Sequence, residues 1–119
     1  MNRILRCINI LLSSMNMPAY SGSKDFIEYA KKVYKDFYDN KEYILEEIKK
    51  ILIENNIDIN IVKLDLFGSY YTGKANENSD VDILLQYEGN EKEDNIFNIL
   101  YGKIYGYGGV YDIFPERVD

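Results

Sequence analysis

The chain has 119 residues, 46% hydrophobic and 29% charged, which allows one core and matches an ordinary soluble globular domain rather than a disordered chain. With 20 Asp and Glu against 14 Lys and Arg the net charge is -6, which argues against broad, sequence-independent binding of nucleic acid. A single cysteine, Cys7, and no histidine exclude an internal disulfide, a Cys- or His-based metal site and any Ser/His or Cys/His catalytic pair, so metal chemistry would have to use oxygen ligands.

The start, Met1 to Met17, is basic and apolar, with Arg3 and Arg6 ahead of Ile8 to Leu12. Its apolar centre is too short for a secretory leader, and no small-residue cleavage site follows cleanly. It reads instead as a short helix packed on the domain, or as residues ahead of a translation start at Met15 or Met17. Cys7 within it reads as a packing residue. No apolar run approaches a membrane span, and a reduced, cytoplasmic setting is expected. Pro18 and Gly22 then break the chain, so residues 1–22 are set apart from the core and residues 23–119 are read as the domain.

Ser23 is placed to cap a helix whose Phe26, Ala30, Val33 and Phe37 share one face. Asn40 is expected to cap a second helix, with a stripe of Tyr43/Ile44, Ile48 and Ile51/Leu52 that stops near Asn55–Asn56. The period then changes to two. Ile59 to Phe67 reads as a strand with Val62, Leu64 and Leu66 on one face, ended by Gly68–Ser69. Tyr70 to Lys74 is a tight turn or short helix, and Asn76 to Ser79 a polar loop. Val81 to Tyr87 is apolar on both faces beyond Asp82, as a central strand would be. Asn90 with Glu93 resembles a capping box, followed by a helical stripe of Ile96, Leu100 and Ile104. Gly106, Gly108 and Gly109 are expected to end that helix. Val110 to Phe114 is a third strand, followed by Pro115 and a charged tail.

The chemistry is concentrated between Leu66 and Leu85. Gly68 stands where a side chain would block close approach to the backbone, and the Ser69 hydroxyl with nearby N–H groups could hold a phosphate. Gly73 allows a second sharp turn. Asp80 and Asp82, two apart, would point to one face of a strand. Carboxylates side by side repel unless a cation lies between them. A divalent metal answers that need, with nucleotide phosphates as further oxygen ligands. Asp112, a charge between apolar residues of the third strand, is the candidate for a third ligand.

Gly68–Ser69, ten residues, then Asp80-x-Asp82 and a later strand aspartate, Asp112, resemble the minimal nucleotidyltransferases of the polymerase-beta-like superfamily. The resemblance covers Ile44 to Pro115. It implies an α/β (α+β) fold in which a small mixed sheet is flanked by helices and preceded by N-terminal helices. It implies magnesium, two ions, and a nucleoside triphosphate, ATP, as substrate, with a nucleoside monophosphate transferred and pyrophosphate released. By position, Asp80 and Asp82 would hold both metals. Asp112 would hold the catalytic one and help deprotonate the acceptor. Gly68 and Ser69 would hold the triphosphate. Small members with this spacing are similar to antitoxins that adenylylate a HEPN-type toxin partner. Family members commonly carry arginine where Tyr70 and Thr72 stand here, and Lys74 is the nearest cation that could compensate. The chain also ends seven residues after Asp112, where relatives usually continue into a further helix.

Plainer readings accompany each of these residues. The aspartates could flank a surface strand, Gly68–Ser69 could be an ordinary turn, and Lys74 a solvated loop lysine. The 12 tyrosines would form a base-stacking surface only if they cluster. Rival functions are an inactive domain that binds a protein, an aminoglycoside-type nucleotidyltransferase, and, least favoured by the charge, RNA tailing.

Overall fold

The computed structural model describes residues 17–119. The readings of the basic, apolar start and of Cys7 therefore fall outside the described residues, except at Met17. Helix α1 (Lys24–Asp39) begins where the Ser23 hydroxyl accepts the Phe26 N–H at 3.1 Å. That bond satisfies one of the donors a helix start leaves unpaired. The buried face is the expected one, Phe26, Ala30, Val33 and Phe37, joined by Tyr34. Helix α2 (Lys41–Glu54) buries Ile44, Ile48 and Leu52. Its stripe is narrower than the pattern suggested, since Tyr43 is exposed. Asn40 lies at the junction, but its side chain does not cap α2. It donates backward to the Asp36 carbonyl and carboxylate at 2.9 and 3.0 Å and closes α1 instead.

Strands β1 (Asn60–Phe67), β2 (Val81–Glu88), β3 (Tyr105–Gly106) and β4 (Gly109–Arg117) form one sheet in the order β1-β2-β4-β3. β1 runs antiparallel to β2, β2 parallel to β4, and β3 antiparallel to β4. Helix α3 (Ser69–Thr72) follows β1, and α4 (Glu93–Leu100) makes the crossover that the parallel pair requires. The architecture is the mixed α+β class expected of the chain, with helices against a small mixed sheet, and β2 is central as expected.

One face of the sheet forms the core. Leu64 and Leu66, then Val81, Ile83, Leu85 and Tyr87, then Tyr111 and Ile113, pack against the helices. Residues 17–22, set apart on the sequence, contribute to this core: Tyr20 is buried, and its hydroxyl donates to the Tyr70 carbonyl at 2.6 Å.

Four local expectations fail, each for a physical reason. Val62 is exposed rather than aligned with Leu64 and Leu66, because the register shifts between Ile61 and Lys63 and breaks the alternation. The Asn90–Glu93 capping box does not form. Helix α4 starts after Lys92, where Asn95 Nδ2 donates to Glu91 Oε1 at 2.8 Å and the Tyr87 hydroxyl to the Glu91 carbonyl at 2.6 Å. Ile104 is buried but lies beyond the helix, and the glycines after it make the β3–β4 hairpin rather than a frayed helix end. β4 runs through Pro115 to Arg117. The Tyr111 N–H turns outward to Ile104, while the Val118 N–H turns inward to Tyr87. By alternation Pro115 then faces the edge that β3 leaves free, where a missing N–H breaks no ladder bond.

Candidate active site

The second face of the sheet carries the candidate residues. Side chains alternate along a strand, so the positions between the core residues share this face. Register places Phe67 opposite Asp82 and Asp82 opposite Asp112, one row across three strands. The next row is Asp65, Leu84 and Phe114, and the Phe67 and Phe114 rings meet edge-on at 5.5 Å. Two carboxylates thus stand side by side at the β2–β4 ladder, above an apolar patch.

Gly68 leaves β1 with φ +69° and ψ −145°, close to the backbone region that only glycine visits readily. A Cβ there would lie 2.8 Å from Asp82 Oδ2. The glycine is therefore needed twice, for the turn into α3 and for the room that the Asp82 carboxylate takes up.

Asp80 does not lie in the strand, which begins at Val81. It follows a closed turn in which the Ser79 hydroxyl accepts the Asn76 N–H at 2.9 Å and Asn76 Oδ1 accepts the Asn78 N–H at 2.8 Å. Its charge is nevertheless felt by both other carboxylates. Burial first, then Asp112, then Asp80, push the Asp82 carboxyl above its ordinary range. Burial and then Asp80 do the same to Asp112. The three charges therefore share one electrostatic site. As placed, no three acidic or cysteine side chains among the described residues form a ready cage for an ion.

Ser69 is half-buried at the start of α3, beside Gly68. Tyr70, at the position where the resembling family carries arginine, is turned into the core, 2% exposed against Tyr20. It offers the site no cation. Lys74 is exposed one residue past Gly73, at the other end of α3, and makes no ion pair among the described residues. The structure therefore brings together Gly68, Ser69, Asp82 and Asp112 closely, Asp80 at the rim, and leaves Lys74 apart.

Sequence reasoning left the tyrosines open, and three of them do cluster. Tyr34, Tyr38 and Tyr71 line one groove next to Phe67. The i, i+4 spacing of Tyr34 and Tyr38 on α1 is a sequence signal for their pairing, but nothing local announces that Tyr71 of α3 joins them across β1. Among the described residues no helix is long and apolar enough to cross a membrane.

Residues 45–113, more than half of the chain and including every glycine, serine, lysine and aspartate named above for the site, match the family model of the nucleotidyltransferase domain. No curated protein and no solved structure matches the chain.

Proposed function

The chain belongs to the nucleotidyltransferase domain family, and from that premise we propose that it transfers AMP from ATP to a partner protein, in the manner of an antitoxin acting on a HEPN-type toxin. The observation that carries the transfer chemistry is Asp82 beside Asp112 in the β2–β4 ladder, with Gly68 holding space open against Asp82. The excess of acidic residues suits a basic protein partner better than a nucleic acid.

Asp80, Asp82 and Asp112 would hold magnesium. The donor set suits a hard divalent cation, because it is all oxygen and because burial and the neighbouring carboxylate charge already make Asp82 and Asp112 hold positive charge more tightly. Magnesium, when bound, neutralises charge on the triphosphate oxygens. Gly68 and Ser69 would contact the triphosphate through backbone N–H groups and the serine hydroxyl, with Lys74, past the far end of α3, as the nearest further cation in sequence. Asp112, half-buried and raised in basicity, would take the proton of the acceptor hydroxyl. That oxygen bonds to the α-phosphorus as the bond to pyrophosphate breaks.

Calorimetric titration of ATP, with and without magnesium, tests the site on wild type and on Asp80→Asn/Asp82→Asn. Binding that needs both the metal and the aspartates is expected. Magnesium-independent binding, or equal binding by the double variant, would overturn the assignment. Labelled AMP should pass from ATP to a co-expressed toxin and fail to do so with Asp82→Asn. A second reading, an inactive domain that works by binding, is favoured by one observation: Tyr70 is in the core and supplies nothing to the triphosphate. No ATP binding by folded wild type would select it.

A further inference from the structure

A groove of about 620 Å³ opens over β1 between α1 and α3, lined by Tyr34, Tyr38, Tyr71, Phe67 and Leu84, with Lys63 and Asp65 at its polar side. None of Gly68, Ser69, Asp80, Asp82 or Asp112 lines it, but its walls adjoin theirs. Phe67 is the cross-strand partner of Asp82 and the neighbour of Gly68, and Tyr71 follows Ser69 by two residues. Whatever lies against Gly68 and Ser69 has this groove as its next surface.

The groove is built to take a flat, partly polar group. The Tyr34 and Tyr38 rings pack on each other at 4.8 Å, so that wall is rigid. The Tyr38 hydroxyl bonds Asp65 at 3.4 Å. Tyr71 opposite is 59% exposed and stacks on no aromatic ring among the described residues. Tyr34 is 4% exposed, yet its hydroxyl has no hydrogen-bond partner among the described residues. No side-chain oxygen or nitrogen among them is both buried and unpartnered. The Tyr34 hydroxyl therefore meets solvent, and the groove is the open space it borders. An aliphatic occupant would strip that hydroxyl of water and give nothing back. A heterocycle both stacks on the rings and offers edge atoms for a hydrogen bond. The groove's one acid, Asp65, is already neutralised by Lys41 at 2.9 Å and Lys63 at 3.7 Å, so an anionic ligand is not repelled.

We propose that this groove receives the base of the nucleoside triphosphate, with Tyr71 stacking on its face and the Tyr34 hydroxyl bonding its edge. The proposal rests on the nucleotide reading of the carboxylate site and names where the rest of that substrate lies.

The test compares ATP with inorganic tripolyphosphate, in magnesium, by calorimetry on wild type, Tyr71→Ala and Tyr34→Phe. Stacking on an aromatic side chain is worth about tenfold in affinity. Wild type is expected to prefer ATP over tripolyphosphate by about that factor. Tyr71→Ala should lose about tenfold for ATP and nothing for tripolyphosphate, and Tyr34→Phe should lose less, in the same selective way. Tyr71 is exposed and Tyr34→Phe keeps its ring, so both variants are expected to fold. Equal affinity of wild type for the two ligands, or an equal loss for both in Tyr71→Ala, would overturn the proposal. If folded wild type binds neither, the nucleotide reading fails, and adenosine alone decides the groove: shifts of the Tyr71 ring resonances on titration keep it as a base site, and their absence removes it. Displacement of adenosine by an aromatic peptide, but not by ATP, would mean that the groove serves a protein partner and would also overturn the proposal.

Discussion

Burial at the sheet and the charges of Asp112 and Asp80 hold the Asp82 carboxyl above the usual carboxylate range, so the folded chain binds that proton more tightly than the unfolded chain does. The sign of the linkage follows. Stability is greatest where both states are protonated, falls as pH rises from the unfolded carboxylate range through the raised folded value, and stays lower above it. Asp82 thus costs stability at neutral pH in the metal-free protein, the usual situation of a charge kept for chemistry. Asp82→Asn, without metal, is expected to melt a few degrees above wild type at pH 7, and the gap should close in acid. Thermal melts across that range check this, and a variant that melts no higher at pH 7 would contradict it. Gly68 and Asp82 were both legible in the sequence from spacing. What spacing could not show is that they are one device, the missing Cβ of one making room for the carboxylate oxygen of the other.

Elements whose signal was local were read well, and those that depend on distant partners were not. The faces of α1 and the central position of β2 follow from periodicity and apolar content, which the chain carries within each segment. The β3–β4 hairpin was missed because its glycines look like a helix end until the partner is known. Gly106 is needed because the Tyr111 ring lies where its Cβ would stand. The hairpin is held to α1 by Asp36, which accepts the Tyr107 N–H at 2.9 Å and the Tyr111 hydroxyl at 3.3 Å across 71 and 75 residues of sequence. No pattern within either segment announces such a contact. Asp36 also accepts from Asn40, so one carboxylate closes α1 and anchors the last strand pair. Asp36→Ala is therefore expected to lower stability by about 1 kcal/mol, as loss of a partly solvated hydrogen-bond acceptor does. It should also speed hydrogen exchange at the Tyr107 amide more than at Leu85 in β2. Uniform acceleration at both amides would show that Asp36 matters only to global stability.

A chain of this size builds two layers, and here the described helices bury one face of the sheet while the carboxylate row lies on the other, where Phe97 of α4 reaches Phe114 and Tyr38 of α1 reaches Asp65. The layer between them is rich in phenols, because tyrosine fills volume while its hydroxyl reaches a carbonyl or carboxylate at the core's margin. Tyr20 ends on the Tyr70 carbonyl, Tyr38 on Asp65 and Tyr111 on Asp36. Burial, and then the tyrosines near Tyr20 and the acids beside the other two, push all three hydroxyls well above the usual phenol value. Each is a group whose charged form the folded state refuses. In the unfolded chain the phenols ionise near pH 10. Above that pH the unfolded state binds fewer protons than the native one, so the slope of stability with pH is negative, and it steepens with each such tyrosine. The acidic net charge works in the same direction as it grows. Urea midpoints should therefore hold steady from about pH 8 to 9 and fall from about pH 10 upward. Tyr20→Phe loses a hydrogen bond, so it should start lower at pH 8 yet fall less steeply. Parallel curves for variant and wild type would mean that the buried phenols do not set the alkaline limit.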